Sequence, residues 1–350
     1  HLQSVSVGGR IMSQPQAVIC GVARTPIGKF LGTLSPFTAV ELGVFSVKEL
    51  LNRVNIDAQS GVIDEVLFGQ VLQAGAGQNP ARQVALGAGL PVSTPCTTIN
   101  KVCGSSLKAA MMAANSIRAG EYKAIVAGGM ESMSNAPQLL MGQRKGAKMG
   151  SSTLIDSMIH DGLWDVYNDV HMGVCADKCA TEHNITREDQ DNFAIESYKR
   201  AAAAWDQGKF SDEVVPVAVP QRKGDPKIVD CDEEFKNVFL EKIPNLRPAF
   251  DKEGTITAAN ASTLNDGASC IILASEEAVN EHGLTPIGKV VSYADAAHEP
   301  EWFTTAPSKA VPKALAKANI NVGDVDYWEL NQAFSVVGIA NTKILGLNPA

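Results

Sequence analysis

Between residues 17 and 130 the chain alternates short apolar runs with longer amphipathic segments, and this alternation restricts the fold most. Ala17-Val18-Ile19-Cys20-Gly21-Val22-Ala23 and Ala124-Ile125-Val126-Ala127-Gly128-Gly129 carry no charged side chain. A strand without a polar face has to be covered on both sides. Between these runs, Ala39 to Arg53 has the spacing of an amphipathic helix and Asp64 to Gln70 reads as another strand. Gly89-Leu90-Pro91 ends a further helix. Strands interleaved with helices predict an α/β architecture, built on a mainly parallel sheet with helices on both faces. At 350 residues the chain exceeds what one simple core organises, so two domains or more are expected.

Within this region Cys103 lies at a change of local preference. Thr97, Thr98 and Ile99 favour extended chain, whereas Leu107-Lys108-Ala109-Ala110-Met111-Met112-Ala113-Ala114 are strong helix formers. A cysteine at such a junction faces unpaired N–H groups and the positive end of a helix dipole, which favour thiolate, the nucleophilic form. Gly104, Ser105 and Ser106 are small enough to let a carbonyl approach that backbone. Packing as a small apolar side chain is the competing reading for any free cysteine.

Residues 131–255 change character, with Met, Gly and charge, the loop Gly142-Gln143-Arg144-Lys145-Gly146 and one long helix from Arg187 to Trp205. They read as an insertion on the core. From about Asp266 the alternation resumes, and Asp64-Glu65-Val66-Leu67-Phe68-Gly69-Gln70 has a counterpart in Asp326-Tyr327-Trp328-Glu329-Leu330-Asn331-Gln332. A duplicated α/β unit is expected, with a site where the copies meet.

Composition excludes other classes. A net charge of -8 argues against non-specific nucleic-acid binding. No apolar run approaches the length of a membrane-spanning helix, so no membrane partner is expected. Seven cysteines without disulfide-type spacing fit reduced thiols. His171, Cys175, Cys179 and His183 suggest zinc, but in a helix at 1.5 Å per residue their ends lie about 18 Å apart, too far for one ion.

Four segments together resemble thiolases: Asn100-Lys101-Val102-Cys103-Gly104-Ser105, Val126-Ala127-Gly128-Gly129-Met130-Glu131-Ser132-Met133-Ser134, His171-Met172-Gly173, and Asn260-Ala261-Ser262-Thr263-Leu264-Asn265-Asp266-Gly267-Ala268. They occur in thiolase order across nearly the whole chain. The segments 161–168, 257–260 and 293–300 are most similar to the mitochondrial acetoacetyl-CoA branch of that family. The resemblance implies a thiolase fold of duplicated βαβαβαββ halves forming a five-layer αβαβα core with an inserted loop domain. The expected boundaries are 1–16, a tag or targeting remnant or a disordered segment; 17–133, the nucleophile half; 134–255, the inserted loop domain; and 256–350, the second half, incomplete at its end.

It also implies a ping-pong acyl transfer. Cys103 takes the acyl group, and coenzyme A or the carbanion of acetyl-CoA removes it. The Cys103 N–H serves one oxyanion, and Asn331 holds a water for the second. His171, Tyr198, Asn237, Lys242 and Ser262 match positions that contact coenzyme A, with Asn237 standing where an Arg is usual. Tyr198 with the backbone of Ala258, Ala259 and Ala261 matches a potassium site, and no other cofactor is implied. The Phe303 loop resembles one that admits 2-methyl-branched substrates, with Thr304 in place of Pro. A homotetramer, joined through the loop around Arg144 and Lys145, and a mitochondrial matrix location, with the cytoplasm as the alternative, complete the expectation.

Two departures stand out. Gln332 replaces the usual Glu, which removes a charge and keeps size and hydrogen bonding, so only a modest change in rate is expected. The family pattern continues into Gly-His-Pro and Cys-x-Gly motifs that are not in this sequence. Either the sequence stops short of its carboxyl terminus, or the chain is a shortened acyl-CoA-binding relative without activity. An open sheet edge and an uncovered core face argue for the first. A ketoacyl-synthase-like condensing enzyme is the third reading, and neither His282 nor His298 sits in a matching context.

Overall fold

The computed structural model describes residues 15–348. Strands β1 (Ala17–Arg24) and β2 (Gly28–Lys29) lead to α1 (Ala39–Arg53), followed by β3 (Glu65–Gly69), α2 (Pro80–Gly87), β4 (Cys96–Ile99), α3 (Ser105–Arg118) and β5 (Ala124–Ser132). A long excursion holds α4 (Met172–Glu182) and α5 (Arg187–Asp206). The chain returns through β6 (Asn265–Ser275), α6 (Glu276–His282), β7 (Gly288–Lys289), α7 (Pro307–Ala318) and α8 (Ser335–Leu345). Side-chain chemistry sets the helix starts. Thr38 and Glu41 form a reciprocal capping box on α1, as do Thr186 and Asp189 on α5.

The main sheet has the order β7-β1-β6-β5-β3-β4, with β2 attached to β6. Strand β3 runs parallel to β4 and β5, while β6 is antiparallel to β1, β5 and β2, and β1 is antiparallel to β7. The sheet is therefore mixed, not mainly parallel as the alternation predicts. An apolar run buried on both faces reads the same in either direction, so its direction is not encoded. The position of β6 between β1 and β5 also puts residues 265–275 in the first sheet, although the boundary at 256 assigns them to the second half.

Period-two alternation divides the core. Val66 and Phe68 of β3, Val126 of β5 and Ile272 of β6 face Leu42, Val47 and Leu50 of α1 and Val84 of α2. Their neighbours Leu67, Ile125, Ala127 and Leu273 face Ala109, Ala113 and Ile117 of α3. A separate apolar cluster joins Ala176, Cys179 and Ala180 of α4 to Val336, Val337 and Ala340 of α8. The helix–sheet–helix layers of the first half are thus formed, and α4 and α8 pack on each other in that separate cluster. Asp326–Gln332, expected as a strand, carries no regular structure and is mostly exposed. A strand needs a neighbour for its N–H and C=O groups, and among the described residues none pairs with it.

No helix among the described residues is long and apolar enough to cross a membrane. All seven cysteines are unpaired. Residues 1–14 of the predicted leading segment lie outside the described residues.

Candidate active site

Cys103 occupies the turn between β4 and α3, and two glycines explain how that turn reaches the sheet. A Cβ on Gly69, at the end of β3, would lie 2.6 Å from Ser105 Cβ and 2.7 Å from the Ser106 nitrogen. One on Gly129, in β5, would lie 2.7 Å from Ser106 Cβ. Only bare backbone lets the first turn of α3 sit this close. Gly104 is the N-cap of α3 and supplies no side-chain cap, so the first-turn N–H groups point out beside the cysteine.

The residue is exposed and lines a cavity of ≈ 480 Å³. Met130, Met133, Met158 and Leu163 give this cavity apolar walls, and Gln70 and Glu131 add polar groups. Glu131 accepts the N–H groups of Val71 at 2.9 Å and Leu72 at 3.1 Å, which fixes the segment after β3 as one wall. Burial raises the Glu131 carboxyl above its ordinary pKa, against the pull of those two N–H groups. The Cys103 thiol is raised as well. Although the residue is exposed, loss of solvation by the cavity walls around the sulfur is the main cause, its own backbone N–H pulls the other way, and the Glu131 carboxylate adds to the rise. Desolvation and the nearby Glu131 carboxylate thus act against the thiolate that the helix terminus favours. Among the described residues no histidine lines this cavity. A smaller cleft of ≈ 310 Å³, between Thr97, Met112 and Tyr122, is lined by no cysteine or histidine.

The other expected site residues lie beyond this cavity. His171 is the N-cap of α4, and its Nδ1 accepts the Gly173 N–H at 3.0 Å. That bond places the proton of the neutral ring on Nε2, and burial lowers the pKa, keeping the ring neutral. His171 stacks on Phe250 with centroids 4.4 Å apart and meets Trp164 edge-on at 6.5 Å. Phe250 and Phe303 each stand 6.4 Å from Phe334. This aromatic series connects His171 with the Asn331-Gln332-Ala333-Phe334 motif. Asn331 is exposed and does not line the Cys103 cavity. Gln332 Oε1 accepts from Ser197 of α5 at 3.4 Å.

The 257–262 turn is tied on both sides. Asn260 donates to Asp191 of α5 and to the Thr255 carbonyl, each at 3.0 Å, and accepts the Thr257 N–H at 2.7 Å. Ser262 N–H donates to the Ala333 carbonyl at 2.8 Å, and Ser335 N–H donates to the Asn260 carbonyl at 2.8 Å. Ala261 and Phe334 form an antiparallel bridge between these bonds. Ser262 is otherwise exposed. Tyr198, two turns after Asp191 on the same face of α5, has its hydroxyl pKa raised by burial and by Glu234. Asn237 donates to the Glu233 carbonyl at 2.9 Å, and the Lys242 ammonium lies 4.2 Å from the Phe239 ring centre. No metal-type cluster of His, Cys, Asp and Glu occurs among the described residues, and Cys175 and Cys179 pack inside α4's buried face.

The structure thus gathers Cys103, Gln70 and Glu131 in one cavity, and His171, Ser262 and the 331–334 motif around Phe334. The link between the groups is the segment from Met158 to Trp164, whose first part lines the cavity and whose end touches His171. Sequence reasoning assigned no role to Glu131 or Gln70. The available signal was a lone acidic residue at the end of an otherwise apolar strand.

The family model described as "Thiolase, N-terminal domain" matches residues 17–277, and "Thiolase, C-terminal domain" matches 284–350. Acetyl-CoA acetyltransferase 2 of Arabidopsis thaliana is 51% identical over 95% of this chain and 82% of its own length. The mitochondrial acetyl-CoA acetyltransferase of Bos taurus is 47% identical over 95% of this chain and 78% of its own. A crystal structure of the Acat5 thiolase from Ascaris suum in complex with coenzyme A superposes with a TM-score of 0.90 at 45% identity, covering 95% of this chain and 85% of that one. With both family models matched in order around a cysteine set at a helix start, the chain belongs to the thiolase family.

Proposed function

We propose that the protein is an acetyl-CoA acetyltransferase, cleaving acetoacetyl-CoA with coenzyme A into two acetyl-CoA or running the reverse condensation. The observation that carries this reading is the place of Cys103, on an apolar cavity at an uncapped helix start. The Cys103 thiolate attacks the ketone carbonyl, and the carbon–carbon bond of the resulting oxyanion breaks. Acetyl-CoA leaves as a carbanion that takes up a proton. The coenzyme A thiolate then attacks the acyl-cysteine, forms the second acetyl-CoA and returns the Cys103 sulfur. The Cys103 N–H, which faces its own sulfur, serves the oxyanion. The thiolase resemblance gives Asn331, which stands outside the Cys103 cavity here, the water for the other oxyanion.

Coenzyme A is taken up by the inserted region 134–255 and the adjoining turn. His171 offers its Nε2–H, Ser262 its hydroxyl, and Tyr198, Asn237 and Lys242 flank the nucleotide. A potassium ion is proposed beside them. The carbonyls of Thr257 and Asn260 accept hydrogen bonds within and across the turn, whereas no described bond engages those of Ala258, Ala259 and Ala261. Three neutral carbonyl oxygens with the Tyr198 hydroxyl make a donor set for a hard monovalent cation, which would stiffen the turn. The Phe303 loop, packed beside Phe334, supports acceptance of 2-methyl-branched acetoacetyl-CoA. The exposed Arg144, Lys145 and Lys148 loop supports a homotetramer, and relatives described as mitochondrial and as cytosolic support either compartment.

Mixing the protein with acetoacetyl-CoA and coenzyme A and following acetyl-CoA release tests the proposal. Turnover by the wild type and none by Cys103→Ala is expected; equal turnover by both would refute it.

A further inference from the structure

Val102, the residue before the nucleophile, has its backbone in the left-handed region at φ +48°. A β-branched side chain is crowded there, and such a conformation persists only where its surroundings over-determine it. Two side chains do so. Asn100 Oδ1 accepts the Val102 N–H at 2.9 Å. The Ser105 hydroxyl accepts the Lys101 N–H at 2.8 Å and donates to the Val102 carbonyl at 2.5 Å, so one oxygen grips the turn at two points. Ser105 does not cap α3, because Gly104 is the N-cap; its hydroxyl reaches back out of the helix. The side chain is 5% exposed and is wedged over Gly69, where even a methyl group would collide. Val102, Cys103 and Ser105 all line the ≈ 480 Å³ cavity.

We infer that Ser105, with Asn100, is a positioning residue for Cys103: together they hold Val102 in the left-handed conformation that turns the sulfur into the cavity. The inference rests on the acyl-Cys103 reading. Releasing Val102 moves the sulfur and leaves His171, Ser262 and the inserted region in place, so the loss falls on the rate of attack and not on coenzyme A affinity.

The test compares Ser105→Ala, Asn100→Ala and the double variant Ser105→Ala/Val102→Gly, using the alkylation rate of Cys103 by iodoacetamide together with kcat and KM. Ser105→Ala is expected to slow alkylation and kcat by about tenfold, with KM for acetoacetyl-CoA changed by less than about twofold. Glycine adopts positive φ without strain, so the double variant recovers most of the lost rate. Asn100 is exposed, and its variant carries the same expectation should Ser105→Ala fold poorly. Wild-type alkylation in both single variants, or a double variant no faster than Ser105→Ala, would overturn the inference. Turnover surviving in Cys103→Ala would instead remove the acyl-enzyme reading beneath it.

Discussion

At the scale of single residues, two carboxylates near Cys103 have different tasks. Asp295 pairs with Lys101 and Lys108, which flank the cysteine turn, and those ammonium groups hold its carboxyl below the usual range. Glu131 braces the cavity wall and raises the Cys103 thiol. The sign of its effect is testable. Glu131→Gln removes the negative charge, so the thiol ionises at lower pH and the pH profile of Cys103 alkylation moves down. A profile unmoved or moved upward would mean that Glu131 acts on the wall alone. Cys103 itself was legible in the sequence as the point where extended chain gives way to helix. Its raised pKa was not, because desolvation by distant segments such as 158–163 leaves no local mark on residues 100–106.

At the scale of elements, helix bounds were more legible than sheet neighbours. The starts of α1 and α5 sit where amphipathic spacing and the Thr38 and Thr186 caps place them. Strand β6 was not assigned to its sheet or direction, since either pairing buries the same apolar alternation. Two substitutions probe the contacts that position the site. Gly69→Ala drives a methyl group into Ser105, and overpacking of this kind costs about 1–3 kcal/mol. Denaturant titration should show that loss together with slower Cys103 alkylation, and a stable, fully reactive variant would contradict the close packing of α3. Asn260→Ala loses bonds to Asp191, Thr255 and Thr257, a loss of about 2–4 kcal/mol in stability. Because the same turn presents Ser262, KM for coenzyme A should rise, and an unchanged KM would separate this turn from ligand binding.

At the scale of the whole molecule, the inserted region is anchored to the core through Arg24 and through Arg53 of α1, which donates to the Val214 carbonyl at 2.8 Å. Arg24, at the end of β1, pairs with Glu213 at 2.6 Å and Asp232 at 2.8 Å, and its guanidinium lies 5.2 Å from the Phe210 ring centre and 5.9 Å from that of Trp205. Asp232 also accepts the Ile27 N–H at 2.7 Å and the Trp205 indole N–H at 3.2 Å. Arg24→Ala should lower stability by about 1–3 kcal/mol and speed proteolysis between residues 207 and 236. An unchanged cleavage pattern would place the anchor elsewhere. No local signal in the sequence marks this contact, because Arg24 and Asp232 are far apart in the chain and each reads alone as a surface charge. The function proposed for the anchored assembly is acyl transfer through Cys103. The most direct measurement is the mass of the protein after exposure to acetyl-CoA and acid quenching, with peptide mapping. One acetyl group on Cys103, removed again by added coenzyme A, is the predicted result; an unmodified Cys103 in protein that still turns over substrate would contradict the account.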